Sequence, residues 1–300
     1  MLWAWLACAP MARAPEGFAN ADSARPRFGW SDGLVLDVVA SRERVRVDGE
    51  HRSVWSEGAT YALSVSRRRA GLVVASSELA LRDRDAAPSL LDALAFGVHP
   101  PFAVDLGGHY LGVLDEALVM REIRALADSM SAAPLDPRAV VGATRDDWEA
   151  LVGAWNDAEL AVGAAKAQRG RSRVPGLQRS TETIAERSYR GRVPCSDRDS
   201  DARCVALGRV ERLANEARGD VLSLLDEAMS ADFAREGLSG RVVDFSLEYA
   251  HELVVEPETL LPRRFVTRRT SGLVIETDDG KRSDVVQIDR LERQFTPRGR

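Results

Sequence analysis

Residues 241–256 read RVVDFSLEYAHELVVE. From residue 243 onward every second position is Val243, Phe245, Leu247, Tyr249, His251, Leu253 and Val255. Asp244, Ser246, Glu248, Ala250, Glu252 and Val254 stand between them. Successive side chains of a strand point to opposite faces, so this alternation predicts one long strand with a dry face and a wet face. Working outward, Glu256-Pro257 and Pro262 punctuate, residues 265–269 are extended, and Leu273-Val274-Ile275 run into Asp279-Gly280. Glycine takes the positive φ of a tight turn, so that pair predicts a two-residue hairpin, with a last strand over residues 284–295.

The amino-terminal part repeats the pattern. Leu34-Val35-Leu36, Val38-Val39, Val45 and Val47 lead to Asp48-Gly49, and a turn is expected at Glu57-Gly58 beside Trp55. Tyr61, Leu63 and Val65 alternate with smaller residues; Arg67-Arg68-Arg69 marks a hairpin tip, and Val73, Ala75, Ser77, Leu79 and Leu81 share one face. Residues 90–98 form a helical turn, and residues 102–106 and 110–113 a hairpin. Val119, Ile123, Leu126 and Met130 have helical spacing over residues 115–130. Thr144 is read as the N-cap of a second helix whose face is Trp148, Leu151, Val152 and Trp155. Residues 170–176 read as a loop and residues 183–193 as a strand. A third helix over residues 216–235 presents Val221, Leu224, Leu225, Ala228, Met229 and Phe233. This order is α+β: a curved antiparallel β-sheet, half-barrel-like, packed around two to three amphipathic helices. The domain is placed at residues 28–296, after a leader (1–14) and a linker (15–27) and before a basic tail (297–300).

The 300 residues are 45% hydrophobic and 29% charged, a globular composition, and the net charge of −5 supplies no basic field for nucleic acid. Met1 to Ala12 is apolar and uncharged, and Ala12-Arg13-Ala14 follows, as in the apolar core and cleavage site of a secretory signal. The basic n-region is missing and Pro15 follows the cleavage point. Lipid attachment at Cys8, within Leu6-Ala7-Cys8, is the alternative to cleavage. Either way the expected location is exported, periplasmic or envelope-associated, with no transmembrane span. Cys195 and Cys204 close a short polar loop, which in an exported chain predicts a disulfide. With no further Cys or His beside them, metal binding is not expected.

No catalytic constellation stands out. His251-Glu252 lacks the second histidine of a zinc helix, and Asp197, Asp199 and Asp201 start like a calcium loop but meet Ala202 and Gly208 where Gly and Glu are needed. No nucleophile elbow, phosphate loop or dinucleotide motif occurs, and no cofactor is implied. His251 falls on the apolar parity beside Tyr249, either as a satisfied core or edge histidine or as a ligand contact. Trp148 and Trp155, seven apart on one helix face, read as packed core or as a ligand platform.

The segment Glu256-Pro257-Glu258-Thr259-Leu260-Leu261-Pro262, with the leader and the long terminal hairpins, resembles the corner of exported bacterial half-barrel proteins, among them the lipoprotein-carrier families. The resemblance implies a sheet cradling helices over a hydrophobic cargo, and carries over no catalytic residue. The expected role is non-enzymatic binding of a lipid, another hydrophobic molecule or an envelope protein partner between sheet and helices, with Tyr249, His251, Trp148 and Trp155 as contacts. The alternatives are an envelope structural or adaptor protein with a filled core, and a hydrolase with dispersed carboxylates.

Overall fold

The computed structural model describes residues 23–69, 71–82, 89–129, 137–163, 165–173, 180–196, 201, 203–235 and 239–298. In chain order the strands are β1 (Ser23–Ala24), β2 (Val35–Asp48), β3 (His51–Arg68), β4 (Gly71–Leu81), β5 (Phe102–Val104), β6 (Tyr110–Val113), β7 (Leu160–Ala161), β8 (Ala165–Arg173), β9 (Ser180–Val193), β10 (Cys204–Leu213), β11 (Gly240–Glu256), β12 (Leu261–Thr277) and β13 (Arg282–Pro297). The α-helices are α1 (Leu90–Ala95), α2 (Glu116–Ser129), α3 (Pro137–Trp148) and α4 (Arg218–Arg235). Eleven strands make one curved antiparallel sheet in the order β6-β5-β4-β3-β2-β13-β12-β11-β10-β9-β8, while β1 and β7 form a separate pair. The junction of β2 with β13, with Val38 opposite Phe295 and Arg42 opposite Leu291, joins the two ends of the chain into a continuous sheet.

Along β11 the dry face is as the alternation predicts from residue 245 on: Phe245, Leu247, Leu253 and Val255 are buried and Ser246 is exposed. The first predicted position fails, because a bulge between Val242 and Asp244 turns Val242 inward and leaves Val243 half-buried. An extra residue in one strand costs a ladder bond; here the Val242 N–H donates to Asp226 Oδ1 of α4 at 2.8 Å.

Two apolar clusters sit on this inner face. In the larger, Leu36, Val38, Phe295, Phe265, Leu253, Val255, Val205 and Leu207 run across β2, β13, β12, β11 and β10, under Trp148, Leu151, Val152 and Trp155. The last three belong to a π-helical turn at Glu149–Gly153 and the residues following it. The smaller cluster places Val221 of α4 on Phe245 and Leu247. The outer face carries cross-strand ion pairs instead, Arg190–Glu252 at 3.2 Å, Arg212–Glu248 at 2.8 Å and Arg264–Glu292 at 2.7 Å. Exposed pairs of this kind contribute about 0–1 kcal/mol each, so they keep the face wet more than they stabilise it.

Several local expectations are corrected. Trp55 and Glu57-Gly58 lie inside the continuous strand β3, and the row Val73, Ala75, Ser77, Leu79 and Leu81 does not keep to one face: Leu72 and Val74 belong to the larger cluster, and after a register shift between β3 and β4 it is Leu79 and Leu81 that pack against it. The Asp279-Gly280 hairpin has a three-residue loop: Thr277 N–H donates to Lys281 O at 2.9 Å, and Gly280 takes φ +78°. Thr144 is not a cap; it lies buried within α3, and its hydroxyl donates to the Val140 carbonyl at 3.1 Å. Residues 170–173 belong to β8, and β10, absent from the sequence reading, occupies Cys204–Leu213. Cys195 and Cys204 are disulfide-bonded with Cα atoms 5.0 Å apart. The leader (1–14), most of the linker (15–27), Cys8, Asp197 and Asp199 and the end of the tail (297–300) lie outside the described residues, as do the side chains of Leu126, Met130 and Phe233.

Candidate functional site

Between the two apolar clusters the inner face turns polar. Paired positions point the same way across a ladder, so the register defines a belt crossing six strands, β9, β10, β11, β12, β13 and β2. Arg187 of β9 is opposite Arg209 of β10, which is opposite His251; Glu211 is opposite Tyr249, Tyr249 opposite Arg269, Arg269 opposite Asp289, and Asp289 opposite Arg44. Beside this row stand Arg293 on β13 and Asp147 on α3.

The deepest element is an ion pair. Arg293, 3% exposed, donates to Asp147 from both terminal nitrogens at 2.8 and 2.6 Å. Its guanidinium lies 4.8 Å from the Phe265 ring centroid. Gly97, at φ +73°, lets the guanidinium approach; a Cβ there would fall 2.5 Å from Arg293 Nη1. His99 Nε2 stands 3.2 Å from Asp147 Oδ2, and Thr144 Oγ1 is 3.4 Å from His99 Nδ1. Burial alone would raise the Asp147 carboxyl, but Arg293 and His99 outweigh it and hold the group well below the usual carboxylate range. Burial likewise opposes the Arg293 charge, and Asp147 more than restores it, raising the guanidinium above its ordinary value.

His251 stacks on Phe265 at 5.9 Å between centroids. Burial, then the nearby Arg209 charge, push its imidazole down to about 4, so it is neutral at pH 7. Its Nδ1 is buried without a hydrogen-bond partner, as are Nε of Arg209 and of Arg269. Arg209 does reach Glu211 at 2.8 Å, and Glu211 accepts from Thr183 at 2.7 Å. Arg187 donates to the Ala154 carbonyl, tying the π-helical end to the sheet.

Toward β2 and β3 the belt becomes wet. Asp289 accepts from Arg44 Nε at 2.6 Å, from Gln287 at 2.7 Å and from Arg269, while Arg42 stands at 3.8 Å. Arg44 and Trp55 are both 42% exposed, and Arg42 lies 5.4 Å over the Trp55 ring. Leu222, Leu225, Tyr249 and Leu273 remain half-buried around the smaller cluster, so its apolar rim continues into this open stretch.

Of the sequence candidates, Tyr249 and His251 stand in the belt. Trp148 and Trp155 do not join them: both are buried in the larger cluster, with indole N–H groups donating to Gly108 O and Ala150 O at 2.8 Å each. Trp148 packs edge-on against Trp30 and Phe102. The belt arginines carry no motif in the sequence; their one mark is parity, since Arg269, Asp289 and Arg293 alternate in step with Phe265 and Phe295. Among the described residues no group of His, Cys, Asp and Glu could hold a metal, and no helix is long and apolar enough to cross a membrane.

No family model and no curated protein matches the chain. A solved structure of lipovitellin, described as lipid–protein interactions in lipovitellin, is similar over 89% of this chain with 10% identity and a TM-score of 0.37. The likeness spans 25% of the lipovitellin chain.

Proposed function

We propose that this is an exported, non-enzymatic binding protein that holds a hydrophobic ligand on the inner face of its sheet, between the α4 cluster and the open hairpins of β12–β13 and β2–β3. One observation carries the reading. The small cluster of Val221, Phe245 and Leu247 is fringed by half-buried Leu222, Leu225 and Leu273, and the inner face beyond it is open enough to expose Trp55. An apolar rim left incomplete next to an open stretch favours a molecule that completes it. In this reading Tyr249 and His251, on the inner face beside that rim, supply the polar contacts of the ligand. The disulfide supports an oxidising compartment.

The test is direct. Purified protein is extracted with organic solvent and the extract analysed by mass spectrometry, and protein stripped of lipid is titrated with the neutral apolar dye Nile red. Co-purified lipid, or dye fluorescence that the extracted lipid displaces, is the expected result. No lipid and no dye binding would overturn the reading and favour the filled-core adaptor.

A further inference from the structure

Resting on that reading, we infer that the ligand is an anionic amphiphile: its carboxylate or phosphate head sits among Arg42, Arg44 and Arg269, and its chain runs toward Leu273 and the α4 cluster.

Three guanidinium groups converge on the single carboxylate of Asp289, whose two oxygens already accept from Arg44, Arg269 and Gln287. The next carboxylate, Glu57, is 3.9 Å from Arg42. Each guanidinium offers five N–H donors in a planar fork, and one carboxylate presents about four acceptor sites, so donors are in surplus here. Positive charge is in surplus too, in a chain whose net charge is −5. Burial first, and then the neighbouring Arg44 charge, lower the Arg42 guanidinium, against the opposing pull of Asp289 and Glu57. Burial would raise the Asp289 carboxyl, yet Arg44, Gln287 and Arg269 hold it below its ordinary value, so it stays an acceptor and does not compete as a donor for an incoming anion.

The exposed Trp55 ring sets an apolar surface beside the guanidinium of Arg42. On the other side, Leu273 is opposite Val285, which is opposite Asp48, four residues along β2 from Arg44. Two strand spacings across and four residues along put head and chain positions on the order of 15 Å apart. A small anion would fill only the first position; a molecule with both a charged head and a long chain reaches both.

Binding of oleate, of oleyl alcohol with the same chain but no charge, and of dioleoyl phosphatidate is measured by calorimetry on the lipid-free protein. Charge-assisted hydrogen bonds should favour at least one anionic head over the alcohol by about tenfold or more, with the preference falling as salt rises. The tighter of the two anions identifies the head as carboxylate or phosphate. Arg42→Gln with Arg44→Gln should collapse the preference, and Arg212→Gln on the outer face should leave it intact. If the double variant does not fold, the salt dependence of the oleate-to-alcohol ratio in the unaltered protein decides. Equal binding of alcohol and anions overturns the head site but leaves the hydrophobic-ligand reading standing; binding of none of the three overturns both.

Discussion

Asp147→Ala removes one half of the best-buried ion pair. Arg293 is 3% exposed and has both terminal nitrogens within 2.8 Å of the Asp147 carboxylate. Without it the guanidinium would keep the Gly97 carbonyl at 3.5 Å, the Tyr61 hydroxyl and the Phe265 face, none of which is a counter-charge at neutral pH. Leaving such a charge uncompensated costs about 3–5 kcal/mol, far more than the pair adds over an apolar replacement. With a urea slope of about 3 kcal/mol per M, reasonable for a chain of this size, the unfolding midpoint should fall by about 1–1.7 M. The double variant Asp147→Leu with Arg293→Met should recover most of that loss, because desolvation no longer has to be offset. The pH dependence has a fixed sign. Asp147 is held below its unfolded value of about 3.9, so its contribution is complete above that pH and is lost as pH falls further. The gap between unaltered protein and Asp147→Ala should therefore narrow below about pH 4. Equilibrium urea unfolding followed by far-ultraviolet circular dichroism reads all three quantities. A loss under about 1 kcal/mol, or a gap that widens in acid, would refute the reasoning.

His251 is depressed to about 4 in the fold against about 6.5 unfolded, so it contributes stability above pH 6.5 that is lost as pH falls toward 4, up to about 3 kcal/mol. His251→Leu should flatten the unfolding midpoint across that window, and an unchanged profile would show that another group sets it. Phe245→Ala, at an 8%-exposed position in the α4 cluster, should cost about 3–5 kcal/mol in thermal or urea unfolding, and a loss below about 0.5 kcal/mol would mean that it is not core. Cys195→Ser should cost about 2–3 kcal/mol for a loop of this size and leave the buried Cys204 open to alkylation once the chain is unfolded without reductant. Identical alkylation of variant and unaltered protein would exclude the disulfide.

What was legible in the chain depended on whether one face of an element was uniformly apolar. β11 could be read from Phe245 to Val255 because the alternation is clean. The bulge could not, since Val242 and Val243 are both apolar and either fits the dry face. β10 was missed because its inward row begins Val205 and Leu207 and then turns to Arg209 and Glu211, which breaks the hydrophobic signal where the sheet becomes polar. The same cause split β3 at Glu57-Gly58, for Glu57 also faces the belt beside Arg42. Thr144 is chemically suited to a cap, and only tertiary packing decides that its hydroxyl bonds back to Val140 inside a helix. The pairing of Arg293 with Asp147 joins residues 146 positions apart and has no local signature. A charged residue on an otherwise apolar parity was the one sign available: Arg269 and Arg293 share a face with Phe265 and Phe295.

Tryptophan quenching by dibromostearate, a fatty acid whose bromines quench on contact, locates the ligand most directly. In a chain beginning at residue 15 the indoles are Trp30, Trp55, Trp148 and Trp155, of which only Trp55 is exposed, at 42% against 6%, 2% and 0%. Saturable quenching that disappears in Trp55→Phe is the predicted result. Quenching that survives Trp55→Phe, or that is absent while dibromostearate still binds, would place the ligand away from the inner face beside β2 and β3 and contradict the account.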